Sequence, residues 1–200
     1  PFKHAIVFIA TVIVCSSYRT FRSMAVLSTI RSLFSSAIPI ENETIVPAPL
    51  TSYAVKPLTE KHAKEVLKLN LRCFRNGENY TKHTFNYLFT EPNILSYQAI
   101  AEDGQMAGFV FVILNKDGTA HLTTIGVAPE HRRRGVAGSM LGHVEAALIV
   151  KGISTIVLEV RVQNVTAQTL YTRFGYSTVK RITKYYADGE DCYLMVKSLV

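Results

Sequence analysis

The chain has 200 residues, 48% of them apolar, with ten Phe and ten Tyr, which suits one domain with a sizeable core and excludes wholesale disorder. Its 22 Lys and Arg outweigh 15 Asp and Glu for a formal charge of +7; this favours an anionic partner (a nucleotide-bearing cofactor, an acidic peptide, nucleic acid or a ribosome surface) without choosing among them. Three cysteines, Cys15, Cys73 and Cys192, form no C-x-x-C pair and no complete disulfide framework, which points to a reducing, cytoplasmic setting. Six histidines (His4, His62, His83, His121, His131, His143) lack metal-ligand spacing, so they read as surface or ordinary packed residues and no metal is expected.

The apolar run Ala5 to Cys15 follows Lys3 and precedes Ser16 and Ser17, like the central region of a signal peptide, and is too short to span a bilayer. The chain opens at Pro1 and Met24 begins a more ordinary soluble sequence, so residues 1–23 are either upstream of the true start or a targeting or anchoring segment. A membrane role is expected only if they are retained as an anchor. Residues 35–52, SSAIPIENETIVPAPLTS, have neither helical nor strand period and read as a linker or extended arm. Residues 1–52 are thus set apart from a folded domain at 53–200.

Tyr53 to Leu58 alternates as a strand, and Thr59 with Glu60 starts a helix whose Ala63, Leu67, Leu71 and Phe74 form a stripe expected to be buried. A loop, Arg75 to Tyr80, leads to a second helix from Thr81 to Phe89 that Glu91-Pro92 ends. Ser96 to Ala101, Met106 to Leu114 and Ala120 to Val127, separated by Asp103-Gly104 and Asp117-Gly118, predict an antiparallel meander. A helix from about Gly135 to Lys151 carries Ala137, Leu141, Val144 and Leu148 on one face and ends at Gly152. Strand Thr155 to Arg161, a short helix Ala167 to Arg173, and two strands joined by Ala187-Asp188-Gly189-Glu190 complete an order β-α-α-β-β-β-α-β-α-β-β. The crossover helix makes strands 120–127 and 155–161 parallel neighbours in a mixed sheet.

Val127 to Ser139, VAPEHRRRGVAGS, sets Arg132, Arg133 and Arg134 and a glycine-rich turn between a strand and a helix N-terminus. Free amides in the first helical turn and the positive end of the helix dipole favour an anion, and Gly135, Ala137 and Gly138 let a diphosphate approach the backbone. Neither G-x-x-x-x-G-K-[ST] nor G-x-G-x-x-G is present, which disfavours ATP and NAD. Period two on strand 155–161 puts Val157, Glu159 and Arg161 on one face and Ile156, Leu158 and Val160 in the core.

The run Arg132 to Ala137 reads R-x-x-G-x-A and resembles the acetyl-CoA pyrophosphate signature of the GNAT acetyltransferases, a resemblance that spans Tyr53 to Leu199. LEVRVQNVTAQTLYTRFGY (Leu158 to Tyr176) resembles bacterial ribosomal-protein alanine N-acetyltransferases, and KYYADGEDCYLM (Lys184 to Met195) with ENY (Glu78 to Tyr80) resembles the catalytic subunits of NatA-type N-terminal acetyltransferases. The resemblance implies the acyl-CoA N-acyltransferase fold, a mixed α/β (α+β), mostly antiparallel sheet of about seven strands with about four helices, and acetyl-CoA as co-substrate. It implies Glu159 as general base, where the eukaryotic subunit has His, and Tyr171 as the acid that protonates the CoA thiolate. Ile125, Gly126 and Val127 would bond the pantetheine arm, Arg132 to Ser139 (with Val136) the diphosphate, and Asn164 the cofactor amides. Glu78, Tyr80, Arg161, Tyr185 and Tyr186 would wall the acceptor slot, with Tyr186 assisting catalysis. Ala137 stands where a second Gly is common and Gly138 where a basic residue is frequent, changes expected to weaken cofactor affinity slightly. The function implied is acetyl transfer to the free α-amine of a protein or peptide, with a ribosome or auxiliary subunit as further partner. A lysine or small amine is the rival acceptor, and a degenerate domain that binds RNA or ribosome is the non-enzymatic alternative; specific nucleic-acid binding is not expected.

Overall fold

The computed structural model describes residues 45–74 and 80–200. Within them the strands and α-helices follow the expected order: β1 (Tyr53–Pro57), α1 (Ala63–Cys73), α2 (Lys82–Thr90), β2 (Ile94–Ala101), β3 (Met106–Leu114), β4 (Thr119–Val127), α3 (Val136–Val150), β5 (Thr155–Arg161), α4 (Val165–Arg173), β6 (Ser177–Ile182) and β7 (Cys192–Ser198). One seven-stranded sheet has the order β1-β2-β3-β4-β5-β7-β6 and is antiparallel except between β4 and β5. The meander's turns form where expected because Asp103 and Asp117 accept the backbone N–H groups of Gln105 and Thr119, two residues on.

Side chains alternate across the sheet to build two cores. On one face Val110, Val112, Ile156 and Leu158 pack with Met140, Leu141 and Leu148 of α3. On the other, Phe109 and Phe111 pack with Val66 and Leu69 of α1 and Phe85 and Leu88 of α2. The α1 stripe differs from the expected one: Val66, Leu69 and Asn70 are buried while Leu71 is 52% exposed. Of the expected stripe, Leu67 and Phe74 pack at the margin of the core, half-buried, while the three positions at its centre were not in that stripe, and one of them is polar. Asn70 is buried because its amide donates to the Tyr80 carbonyl at 3.3 Å, tying α1 to the start of α2.

Helix α3 buries Val136, Met140, Leu141, Val144, Leu148 and one charged residue, Glu145. It ends as expected at Gly152, whose φ of 74° lets Gly152 N–H and Ile153 N–H turn back onto the Ile149 and Leu148 carbonyls. The arm before β1 lies on the loop ahead of α3: Ala48 N–H donates to the Glu130 carbonyl at 3.0 Å, and the Arg134 guanidinium donates to the carbonyls of Ala48 and Pro49. Among the described residues no helix is long and apolar enough to cross a membrane.

Candidate active site

Strands β4 and β5 run together for only three register pairs, Thr119 with Thr155, Ala120 with Ile156 and His121 with Val157, and then part. The cause is a bulge in β4: Phe111 and Val112 of β3 face Thr124 and Leu122, so Thr123 is an extra residue that bends its strand. The Thr123 carbonyl takes the Tyr80 hydroxyl at 3.1 Å. Beyond the fork the facing edges of β4 and β5 lack each other's ladder bonds, which leaves backbone donors and acceptors for a third, extended group.

The fork holds a pair that sequence reading missed. His121 Nε2 lies 2.6 Å from Glu159 Oε2, and both side chains are 20% exposed. Glu159 and Arg161 share the expected face of β5, yet they do not pair with each other. Arg161 instead bonds Asp188 at 2.9 Å and Glu190 at 2.5 Å in the β6–β7 loop, with Tyr186 beneath its guanidinium at 3.7 Å. His121 was legible only as one of several histidines; its position on β4, opposite in period to buried Ala120 and Leu122, is the signal that could have found it.

Tyr80 and Tyr185 lie within electrostatic reach of the carboxylate. Burial first, and the Glu159 charge second, push the Tyr80 phenol up to about 12 and the Tyr185 phenol further upward. Burial and Glu159 likewise raise the Cys192 thiol to about 11. Both tyrosines are therefore neutral walls at physiological pH. A phenol raised on folding contributes stability in full below its ordinary value of 10, and that contribution is lost as the pH climbs from 10 to about 12, where only the unfolded phenol ionises readily. Urea unfolding midpoints over that interval should fall less steeply in Tyr80→Phe than in the unaltered protein, and equal slopes would contradict this reading. Tyr185 and Tyr186 meet edge to face at 5.1 Å, so the hairpin presents its two rings as one unit. Glu78 lies outside the described residues.

At the end of β4, Arg133 and Gly135 both take left-handed backbone, with φ of 62° and 77°, and curl the loop against the first turn of α3. The first helical bond is Ser139 N–H to the Gly135 carbonyl, so the amides of Val136, Ala137 and Gly138 point out of the helix end, a geometry suited to a diphosphate. Two of the three arginines build the loop itself. Arg132 donates to the carbonyls of Val127 and Cys73, both at 3.2 Å, and Arg134 holds the arm, while Arg133 has no partner among the described residues. The Val127 carbonyl is thus already occupied; Ala128 N–H bonds the Ala107 carbonyl of β3, so Gly126, two residues earlier, also faces β3, and Ile125 with the Val127 N–H is left as the freer part of the β4 edge. This strand, fork, loop and helix end coincide with a match of residues 63–176 to the family model described as Acetyltransferase (GNAT) family.

The chain belongs to the GNAT acetyltransferase family. It is 31% identical over 163 residues to an N-alpha-acetyltransferase of Sulfurisphaera tokodaii, covering 74% of this chain and 93% of that one. It is 34% identical over 136 residues to the N-terminal acetyltransferase A complex catalytic subunit of Arabidopsis thaliana, covering 65% and 69%. Against the crystal structure of the ribosomal-protein-S18-alanine N-acetyltransferase from Escherichia coli the TM-score is 0.68 at 25% identity, with 74% and 94% of the two chains covered. The match to an uncharacterized N-acetyltransferase of Methanocaldococcus jannaschii spans 61% of that protein's length. These relationships make the chain an acetyl-CoA-dependent N-acetyltransferase.

The remaining residues expected at the site lie on α4 and its contacts. Asn164 caps α4, its Oδ1 accepting Ala167 N–H at 3.1 Å, which leaves its amide N–H groups for a ligand. Tyr171 is buried against Tyr176, 5.6 Å between ring centroids, and its phenol is pushed upward by burial alone. Its hydroxyl makes no hydrogen bond to a described residue, so a proton is held there and not shared. Gly138 also has a packing reason: a Cβ there would lie 2.8 Å from the Phe174 ring, so a basic side chain has no room between α3 and the end of α4. Gly138→Leu is expected to cost about 1–3 kcal/mol of stability through overpacking and to raise KM for acetyl-CoA, measured by urea unfolding and steady-state kinetics. A variant as stable as the parent would show that the two helices part freely.

Proposed function

We propose that this GNAT protein transfers the acetyl group of acetyl-CoA to the free α-amine of a protein or peptide N-terminus. The observation that carries the reading is the fork: the carboxylate of Glu159 stands beyond the last β4–β5 register pair, where Tyr80 bonds the bulged Thr123 carbonyl and the β4 edge leads to the amide-lined end of α3. An acceptor site flanked by the rings of Tyr80, Tyr185 and Tyr186 would suit the unbranched end of a chain, and relatives whose names specify N-terminal acceptors support the same class.

In this reading the loop from Arg132 to Ser139 holds the diphosphate, Ile125 and the Val127 N–H bond the pantetheine arm, and Asn164 orients its amides. An α-ammonium, with a pKa near 8, loses one proton to Glu159 and its nitrogen then attacks the thioester carbonyl. The C–N bond forms as the C–S bond breaks, Tyr171 gives its proton to the departing thiolate, and the second amine proton leaves with solvent and reprotonates Tyr171. Arg161, neutralised by Asp188 and Glu190 and backed by Tyr186, shapes the mouth of the slot. We place the reaction in the cytoplasm, on a nascent chain at the ribosome or with an auxiliary subunit. No metal enters the scheme.

Mass spectrometry of the protein with acetyl-CoA and two peptides tests the acceptor. One carries a free N-terminal Ala or Ser, the other a blocked N-terminus and an internal Lys. Acetylation of the free terminus alone is expected; acetylation of the blocked, lysine-bearing peptide in its place would refute the N-terminal reading.

A further inference from the structure

The histidine that touches Glu159 has no part in the scheme above. His121 and Val157 form the last register pair before β4 and β5 separate, and Glu159 stands two residues farther along β5 on the same face. A carboxylate on an edge that has just lost its neighbouring strand is free to change rotamer, and a general base that swings by even an ångström loses alignment with its proton. The 2.6 Å contact removes that freedom.

Among the described residues no other side chain donates a hydrogen bond to Glu159, and its Oε1 has no partner. The ionisable groups that face it from the neighbouring elements are Tyr80 ahead of α2, Tyr185 in the β6–β7 loop and Cys192 on β7; each is held toward its neutral form by burial and by the carboxylate's charge. Arg161, the nearest cation along β5, is directed to Asp188 and Glu190. Among the described residues the imidazole is the group that touches the carboxylate and can orient it.

We propose that His121 is a positioning residue for Glu159, donating its Nε2–H to Oε2 so that Oε1 is held across the fork toward the acceptor nitrogen. The inference rests on the assignment of Glu159 as base. The proton taken from the amine goes to Oε1; His121 keeps its own throughout, so the pair is an orienting contact and not a relay. An amide that donates from the same reach should do the same work.

The test uses the full chain and reads kcat, KM for acetyl-CoA and the thermal midpoint. His121→Leu should lower kcat by about tenfold to hundredfold, the loss expected when a reacting group is misplaced, with KM and the midpoint little changed. His121→Gln, whose side-chain amide can donate to Oε2, should keep kcat much nearer the parent value. In a Glu159→Gln background His121→Leu should add no further loss, because the residue it positions is already disabled. An unchanged kcat in His121→Leu, an equal fall in His121→Gln, or a full additional loss on top of Glu159→Gln would each overturn the proposal. Nitrogen-15 NMR of the imidazole reads the pair without any acceptor: a proton on Nε2 in the resting protein supports the positioning contact, and a bare Nε2 overturns it. Transfer to lysine alone would sink the N-terminal reading only, and the variant cycle would then be read on that amine.

Discussion

Replacing Glu159 with Gln should lower kcat by about 10² to 10⁴-fold, the usual contribution of a general base, while acetyl-CoA binds as before. Gln is nearly isosteric and keeps a hydrogen-bonding contact with His121 2.6 Å away, so the fork stays closed around it. What it loses is the ability to take a proton from an α-ammonium. The groups expected to hold the co-substrate sit elsewhere, on the β4 edge, at the N-terminus of α3 and at the cap of α4, which is why affinity and turnover should separate. Isothermal titration with CoA alongside steady-state kinetics checks both. Unaltered turnover would mean that the amine sheds its proton to solvent before it enters, and the base assignment would fall.

Lys197→Met should be the most destabilising of the substitutions considered, by about 3 kcal/mol or more, because it leaves a buried carboxylate without its counterion. Glu145 sits on the buried face of α3 with its side chain 11% exposed, and its Oε2 lies 2.6 Å from Lys197 Nζ on β7. The ammonium is itself 5.8 Å from the Tyr176 ring centroid. For a domain of this size that loss corresponds to a fall in thermal midpoint of roughly 10 °C. The double variant Glu145→Leu with Lys197→Met should recover much of it, since exchanging both charges for apolar groups of similar volume is often neutral. A single Lys197→Met variant that melts with the parent would show that water or backbone groups solvate Glu145 adequately. The pair joins α3 to the sheet on the side away from Glu159, so the variant also asks whether the helix that carries the anion site needs that anchor.

Most elements were legible because their signals are local. Asp103-Gly104 and Asp117-Gly118 announce turns that the aspartates themselves stabilise, Gly152 ends α3, and the alternation from Thr155 to Arg161 matches the buried and half-exposed faces of β5. The α1 stripe was misread because several rows of a helix share three- and four-residue spacing, and only the sheet beneath decides which row is buried. Asn70 is a polar residue whose place in the core depends on the Tyr80 carbonyl, ten residues on. The arginines show the same limit. Arg132 to Arg134 read as a phosphate clamp, but two of them bond the chain's own carbonyls, contacts made with residues far away along the chain.

The sequence by itself determined the order of the elements, the parallel crossover, the amide-rich turn at the start of α3 and the face on which Glu159 lies, since each follows from backbone preference and periodicity within a few residues. Only the tertiary structure decided which charges meet. The bulge at Thr123 parts β4 from β5 just beyond His121 and brings that histidine, 38 positions earlier in the chain, onto Glu159, while Arg161 turns to Asp188 and Glu190. Side-chain pairing depends on distances of a few ångströms between strands remote in sequence, and those distances are set by sheet register and twist, which no local pattern records.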